Sequence, residues 1–344
     1  MNRMLLFILF LGLGNMNSNA QTSWDTSYYV SCKNRLSLGL VFSQRGYQID
    51  IKSDTGSIPP VNYNADARSA VGFILDFDKL SVQALFKTRE HLNDKKGKTR
   101  NNNFLLTIGG NKFLFEGSYR FFKGFYDETS GDYLPEYNEN TPYYQLNGMT
   151  ENLFRAKVYY FSNNRKFSYR SAYYCGYRQI KSAFSAVITA NFMNERLVAD
   201  SSLIPYFLKT NYGNASNIRG IAHTGFGTGA GITGTIVIYK RFFANFFFVP
   251  SIHVQHRSYK YTAADDKSGY YGTLLLDTRL SVGFTGERFF TLMAVTNDRH
   301  WINGKGISIQ PSYVSATFII GYRFTVSKQG FVKKVKDTEI YNKL

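Results

Sequence analysis

Long segments of the chain alternate apolar and polar residues with a period of two, most regularly between residues 218 and 324. In Tyr270–Thr285, the even positions after 272 are mostly leucine, valine or phenylalanine, while the odd positions include Asp277 and Arg279. A period of two puts successive side chains on opposite faces of a β-strand. Strands of soluble sheets usually have about five or six residues, whereas long strands with one apolar face are typical of membrane-spanning barrels. The sequence therefore predicts an all-β fold, an antiparallel transmembrane β-barrel.

The number of strands follows from the alternating segments, of which about fourteen can be recognised. In an outer-membrane barrel, short periplasmic turns alternate with longer extracellular loops. Counting the predicted strands between them puts the short turns Asn163-Asn164 and Lys240-Arg241 at opposite ends of the barrel, although both should be periplasmic. The conflict disappears if a segment between them is missed or merged. We therefore expect about twelve strands, with ten to fourteen open, in a barrel that spans residues 21–326.

The N-terminus has the three regions of a secretory signal: Arg3, the apolar run Met4–Gly14, and a small-residue cleavage site that ends at Ala20. An N-terminal membrane anchor is the alternative, but the run is too short to cross about 30 Å of hydrocarbon as a helix. We expect residues 1–20 to be removed after export and the mature chain to lie in the cell outer membrane of a Gram-negative bacterium. The lysine-rich residues 327–344 are expected to form a basic periplasmic tail.

The composition is that of an aromatic-rich, basic chain. It contains 30 phenylalanines and 26 tyrosines, as expected where aromatic girdles mark both membrane interfaces. The formal net charge is +17, and such an excess attracts anions. Because export argues against nucleic acid, the expected partners are phosphorylated outer-leaflet lipid of the outer membrane or a small anionic solute in a basic lumen.

Positive charge is concentrated on the polar phase of one predicted hairpin. In Leu153–Phe161 the basic residues lie opposite apolar ones, and a return strand predicted over residues 167–178 repeats this arrangement. In a soluble sandwich these cations would face water, but in a barrel they would line the bore, where weaker solvent screening strengthens their effect on a passing anion. With cations from later strands, the predicted lumen-lining basic residues are Arg155, Lys157, Arg170, Arg178, Arg279 and Arg323.

Two long connections are candidates for folding into the bore. The loop 127–142 is acidic, and an inward fold would constrict and neutralise a basic lumen, although such a loop is more often exposed. The connection 194–217 is expected to hold a short helix or an inward fold. The acidic residues of the possible constriction loop are Asp127, Glu128, Asp132, Glu136 and Glu139.

A family resemblance rests mainly on the letters YYFSNNRKFSYR at Tyr159–Arg170, followed by QIKS at Gln179–Ser182. With Gly97–Thr99 and Phe122–Tyr126, these stretches resemble the signature of a family of Bacteroidetes outer-membrane proteins, domain-of-unknown-function family 4421. The resemblance extends over nearly the whole mature chain, and one departure is Ala183–Ser185, where a glycine is expected before the serine. Membership implies an outer-membrane β-barrel without a known activity.

The last predicted strand carries Gly321 and Phe324, spaced like the glycine and the aromatic residue of the signal read by the outer-membrane assembly machinery. That machinery is therefore an expected partner. The departure from the signal is the tail 327–344, since many barrels end with the aromatic residue.

The histidines and cysteines show no motif for chemistry. His253 and His256 lie three positions apart in a strand, so they face opposite sides and cannot bind one ion in regular geometry. No phosphate-binding loop, dinucleotide fingerprint or metalloprotease motif is present. Cys175 is expected to pack, with a single disulfide to Cys32 left open. We expect no metal site and no cofactor.

Three functions follow in order of preference. The first is a passive or gated conduit for small anionic solutes, which depends on the basic lumen. The second is a structural or assembly barrel that binds a partner protein or outer-leaflet lipid. The third, an outer-membrane hydrolase, would need His253 with Ser251 or Ser281 on the outer wall; we expect no enzymatic activity.

Overall fold

The structure is a computed structural model that describes residues 24–32, 35–53, 58–65, 69–87, 95–304 and 306–326. The predicted signal peptide (1–20) and basic tail (327–344) lie outside these residues. The strands, in chain order, are β1 (Tyr29–Ser31), β2 (Arg35–Ser53), β3 (Val61–Ala65), β4 (Ala70–Phe77), β5 (Leu80–Lys87), β6 (Arg100–Gly109), β7 (Phe113–Asp127), β8 (Tyr144–Phe161), β9 (Tyr177–Gln179), β10 (Ala183–Val198), β11 (Ile218–Ile238), β12 (Phe242–Tyr261), β13 (Lys267–Thr285), β14 (Phe289–His300), β15 (Ile302–Gly304) and β16 (Ile307–Thr325).

Helical structure in the described residues is limited to short segments. These are the α-helical turn Arg170–Tyr173 and the 3₁₀ segments Ser130–Asp132, Tyr206–Asn211 and Gly213–Ala215. None of the helices in the described part of the chain is long and apolar enough to cross a membrane.

Twelve strands form a closed antiparallel ring. Its order is β2, β4, β5, β6, β7, β8, β10, β11, β12, β13, β14 and β16, and β16 pairs with β2 along its full length to close it. The short β3 lies between β2 and β7 beyond the ends of β4 to β6, and β15 forms a hairpin with β16. The predicted transmembrane β-barrel of about twelve strands is therefore confirmed.

The two ends of the barrel differ in their connections. At one end, which we call the termini end, β2 begins and β16 ends, and the turns 78–79, 110–112, 239–241 and 286–288 are short. The connections at the other end, which we call the loop end, are longer and include residues 128–143 and 199–217.

The outer face of the barrel is apolar over the half nearest the termini end. Alternation places these side chains outward, each more than a third exposed, while their neighbours along the strand are buried or half-buried. Nearer the loop end the outward residues become polar, as at Gln44 on β2 and at Asn194 and Arg196 on β10. The apolar band includes Leu38, Leu40, Phe42, Phe73, Phe104, Phe154, Ile188, Ile232, Phe248, Ile252, Leu280, Met293 and Phe318. The loop-end part of the barrel therefore extends beyond the band that lipid would cover.

The predicted strand over residues 167–178 is wrong. This segment instead enters the bore at the termini end, forms the helical turn Arg170–Tyr173, and continues into β9, which pairs with β1 in a separate two-stranded sheet. A barrel strand exposes one phase to lipid, but here both phases are buried, as the adjacent Tyr173 and Tyr174 illustrate. We call residues 24–32 and 162–182 together the termini-end plug. Because no barrel strand begins at residue 167, the chain near residue 163 and the turn near residue 240 lie at the same end of the barrel. The conflict in the strand count is thereby resolved.

The connection 199–217 folds into the loop end, as expected for an inward fold with short helical turns. Leu203, Ile204 and Leu208 are buried in an apolar cluster with inward residues of the barrel wall. The backbone is held as well, because the Tyr63 hydroxyl donates to the Leu203 carbonyl at 2.8 Å. We call residues 199–217 the loop-end cap.

The stretch Phe122–Tyr126, one of the motifs of the family resemblance, contains a β-bulge. The ladder between β7 and β8 shifts register between Lys123 and Phe125. Gly124 lies at this β-bulge with φ +86°, and a Cβ there would meet the Lys98 carbonyl oxygen at 2.0 Å. The extra residue turns both Phe122 and Phe125 inward.

Candidate functional site

The interior of the barrel contains many charged side chains, and their signs balance. Among the described residues, seven arginines or lysines and eight aspartates or glutamates are buried. The cations are Arg45, Arg155, Lys157, Arg170, Arg257, Arg279 and Arg323, and the acids are Asp76, Asp78, Glu116, Asp127, Glu151, Glu195, Asp277 and Asp298. The expected excess of positive charge in the bore is therefore wrong.

Arg279 is the centre of the largest interior network. Its guanidinium donates to both carboxylate oxygens of Glu116, at 2.9 and 3.0 Å, which is the strong bidentate geometry. It also donates to both oxygens of Asp277, at 3.0 and 3.1 Å, and to the hydroxyls of Tyr159 and Tyr169. Since Tyr169 belongs to the termini-end plug, this network joins the plug to the wall.

Two further predicted cations enter the same layer. Lys157 contacts Asp277, and the Arg155 guanidinium lies 3.1 Å from the Asp298 carboxylate. Asp298 also accepts from Arg120 at 2.6 Å. Each cation thus faces a carboxylate contributed by another strand.

The remaining predicted cations lie at the termini end. Arg170 is on the plug rather than on a strand, and it pairs with Asp76 at 3.1 Å and donates to the Gly109 carbonyl at 2.6 Å. Arg323 donates to the Cys175 carbonyl at 2.9 Å and thereby holds the plug against β16. Arg178 lies on β9 and is half-buried. Arg170 and Arg323 are buried inside the barrel, where their immediate partners are protein groups.

Exposed basic residues outnumber exposed acids around the termini end, among the residues that the structure describes. They belong to the turns and the plug, where the acids that are not buried are Asp25 and Glu287. The exposed basic residues of this ring, which we call the basic ring, are Lys112, Arg165, Lys166, Lys181, Lys240, Arg241 and Arg288.

The acidic loop 127–142 does not constrict the bore. Asp127 is buried where it orders the loop, accepting from the Tyr133 hydroxyl at 2.7 Å, and burial together with this carboxylate raises the pKa of Tyr133. The other four predicted acids, Glu128, Asp132, Glu136 and Glu139, are exposed. The loop-end cap closes the mouth instead, because it carries the apolar residues that bury there favourably.

The serine and histidine considered for a hydrolase do not lie on the outer wall. Ser251, His253 and Ser281 all point into the bore and are buried. Room for the His253 ring comes from Gly227 of the neighbouring strand, where a Cβ would lie 2.4 Å from it. The inward glycines of β11 therefore accommodate side chains of β12.

The cysteines lie together at the termini end. Cys175 is buried within the plug, and the backbone N–H of Cys32 donates to the carbonyl of the adjacent Gly176 at 2.9 Å. Burial raises the pKa of both thiols. Both are free, in agreement with the packing role.

Sequence reasoning missed a cluster of Glu195, His223 and His300. The three residues lie on β10, β11 and β14, and their ligand atoms lie within 4.8 Å of one another. Each side chain points into the bore, and the alternation of its strand could have predicted that direction from the sequence. The sequence does not show that the three reach the same level of the bore.

A cavity of about 110 Å³ lies between the plug and the wall, lined by polar groups that include Gln83, Asn103, Glu116 and Arg120. This volume holds a few water molecules, since each takes about 30 Å³ in the liquid.

The family profile described as "Domain of unknown function (DUF4421)" matches residues 23–324. The chain belongs to this family. The predicted family membership is thereby confirmed, while the bacterial group remains a prediction. A comparison with curated proteins finds no match for this DUF4421 chain.

Solved structures with some likeness to the DUF4421 barrel include three outer-membrane proteins. The outer membrane protease OmpT from Escherichia coli has 10% identity and a TM-score of 0.40, with 86% of this chain and 98% of that chain covered. The translocator domain of autotransporter NalP from Neisseria meningitidis has 9% identity, coverages of 83% and 88%, and a TM-score of 0.32. The toluene transporter TodX from Pseudomonas putida has 8% identity, coverages of 85% and 91%, and a TM-score of 0.25. Likeness at this level says nothing about activity.

Proposed function

We propose that this chain is an outer-membrane β-barrel that is closed at rest and serves as a structural or assembly barrel. The observation that carries the proposal is that the bore is filled at both ends, by the termini-end plug and by the loop-end cap. Between them Arg155, Lys157 and Arg279 are paired with carboxylates. A standing conduit for anions needs open space and unpaired positive charge, so the closed interior favours the structural role.

The short turns support an orientation with the termini end in the periplasm, as in outer-membrane barrels generally. The basic ring then faces the phosphates of the inner leaflet. Each lysine or arginine near an anionic surface gains on the order of 1 kcal/mol. Anionic lipid at this end is therefore the partner we propose, in place of the outer-leaflet lipid expected from composition.

A lipid-binding measurement tests this partner. The variant Lys240→Gln/Arg241→Gln/Arg288→Gln should retain several-fold less anionic phospholipid through detergent purification than the wild type, because three favourable contacts with phosphate are lost. Lys95→Gln/Lys98→Gln/Lys267→Gln, at the loop end, is the matched control. Equal retention by the two variants would contradict the assignment.

Conductance in planar bilayers tests the closed state. The purified, folded wild type should show no steady current. A stable, anion-selective conductance in the wild type would refute the structural proposal and restore the open conduit.

A gated conduit is the second candidate, because the plug is not part of the hydrogen-bonded ring: β9 pairs with β1 alone. Arg170→Ala/Asp76→Ala removes the ion pair without leaving an unpaired charge, so the plug should loosen. Openings seen in this variant and not in Arg165→Ala, an exposed plug residue, would favour gating. Silence in both variants would support a barrel that stays closed.

A further inference from the structure

Three side chains from three strands converge inside the loop-end half of the barrel. The Nε2 atom of His223 lies 3.1 Å from Oε2 of Glu195, and Nε2 of His300 lies 3.0 Å from the same oxygen. All three residues are at most 3% exposed. Two imidazole nitrogens and one carboxylate oxygen at this spacing form the donor set of many zinc sites.

Hydrogen bonding does not account fully for the cluster. Although Nε2 of His300 lies close to Glu195, it makes no aligned hydrogen bond with any residue in the described ranges. A buried imidazole nitrogen without a partner is costly, and a metal ion coordinated by its lone pair would remove that cost.

Glu151 gives an independent observation. It is fully buried, and neither of its carboxylate oxygens has a hydrogen-bond partner among the residues that the structure describes. The ladder pairs Glu195 with Leu153, which makes Glu151 its diagonal neighbour on β8, within reach of the same point in the bore. Two buried carboxylates so close together repel one another unless positive charge lies between or beside them.

We propose that Glu195, His223 and His300 bind a divalent transition-metal ion, for which Zn²⁺ is the best fit. Imidazole suits zinc, copper, nickel and iron, whereas calcium and magnesium prefer sites made only of oxygen. The charge of +2 is balanced by Glu195 together with Glu151. This site goes beyond the proposed structural role.

Tyr47 supplies an outer contact for the site. Its hydroxyl donates to Oε1 of Glu195 at 3.0 Å and so leaves Oε2, the oxygen nearest to both histidines, free to bind the ion. Such contacts orient a ligand, and their loss typically weakens metal binding by about 10–100-fold.

The site lies in the loop-end half of the barrel, beneath the loop-end cap. The outward neighbours of Glu195, Asn194 and Arg196, are polar, so this level lies beyond the apolar band. The loop-end cap separates it from solvent, and the layer of charged residues around Arg279 lies on its other side. A metal bound here would join β10, β11 and β14 across the bore.

The test uses the full chain, folded in detergent and stripped with a chelator. The wild type should bind one equivalent of Zn²⁺, and Co²⁺ in its place should give the visible absorption of a four-coordinate site. Glu195→Gln, which keeps the size of the side chain, should reduce affinity at least 100-fold, and Tyr47→Phe about 10–100-fold. His300→Gln is a second ligand variant, should Glu195→Gln fail to fold as judged by circular dichroism.

His256→Gln is the matched control, because His256 lies on the outer face of β12, and it should bind metal like the wild type. His91→Gln serves as a control outside the described residues. Absence of a stoichiometric metal in the wild type would overturn the proposal, whatever the variants do. Unchanged binding by Glu195→Gln, or loss of binding in His256→Gln or His91→Gln, would place the metal elsewhere and overturn it as well.

Discussion

Arg279→Ala should lower the free energy of unfolding by about 3–5 kcal/mol, because it removes one partner from a buried ion-pair network. The substitution takes away the bidentate donor of Glu116 and leaves Asp277 with Lys157 alone, in an interior that is closed to solvent. It also removes the link to Tyr169 in the plug. Urea unfolding of the barrel in lipid vesicles, followed by tryptophan fluorescence, measures the loss.

Two variants show whether the unpaired carboxylates cause the effect. Arg279→Ala/Glu116→Gln should regain part of the stability, since one uncompensated charge is gone. Arg196→Ala removes an exposed arginine from the outer face of β10 and should change stability by less than about 0.5 kcal/mol. An Arg279→Ala barrel as stable as Arg196→Ala would mean that water reaches the interior freely and that the bore is open.

Leu280→Arg should cost about 2–4 kcal/mol in a bilayer, the penalty for arginine on the lipid face near the midplane. Leu280 is 59% exposed and lies on the outer wall opposite Phe246, within the apolar band. The same vesicle-based unfolding measures this loss. In detergent micelles, whose surface adapts to the charge, the penalty should be smaller.

His256→Arg is the matched control for the lipid face. His256 also points outward, but it lies past the last apolar outward residue of β12, Val254, where the cost falls to about 0–1 kcal/mol. Equal costs at Leu280 and His256 would show that the apolar band does not lie in the bilayer. The assignment of the outer face to lipid would then fail.

The outward and inward phases of the strands were determined by the sequence alone. A period of two is a local property, so the alternation in β13 and β16 was sufficient to predict the ring of about twelve strands and to direct Arg155, Lys157, Arg279 and Arg323 inward. The same pattern misled over residues 167–178, because a plug inside a barrel is buried on both phases and its polar and aromatic residues also alternate.

The partners of the inward residues were decided by the tertiary structure. Arg279 and Glu116 are 163 positions apart, and Glu195, His223 and His300 lie on three different strands. Whether such residues meet depends on the register of each strand pair and on the strand tilt that closure of the ring imposes, neither of which can be read from the local alternation of residues. For this reason the sequence shows that the bore is charged, whereas the fold alone shows which of its charges are paired and that both of its ends are closed.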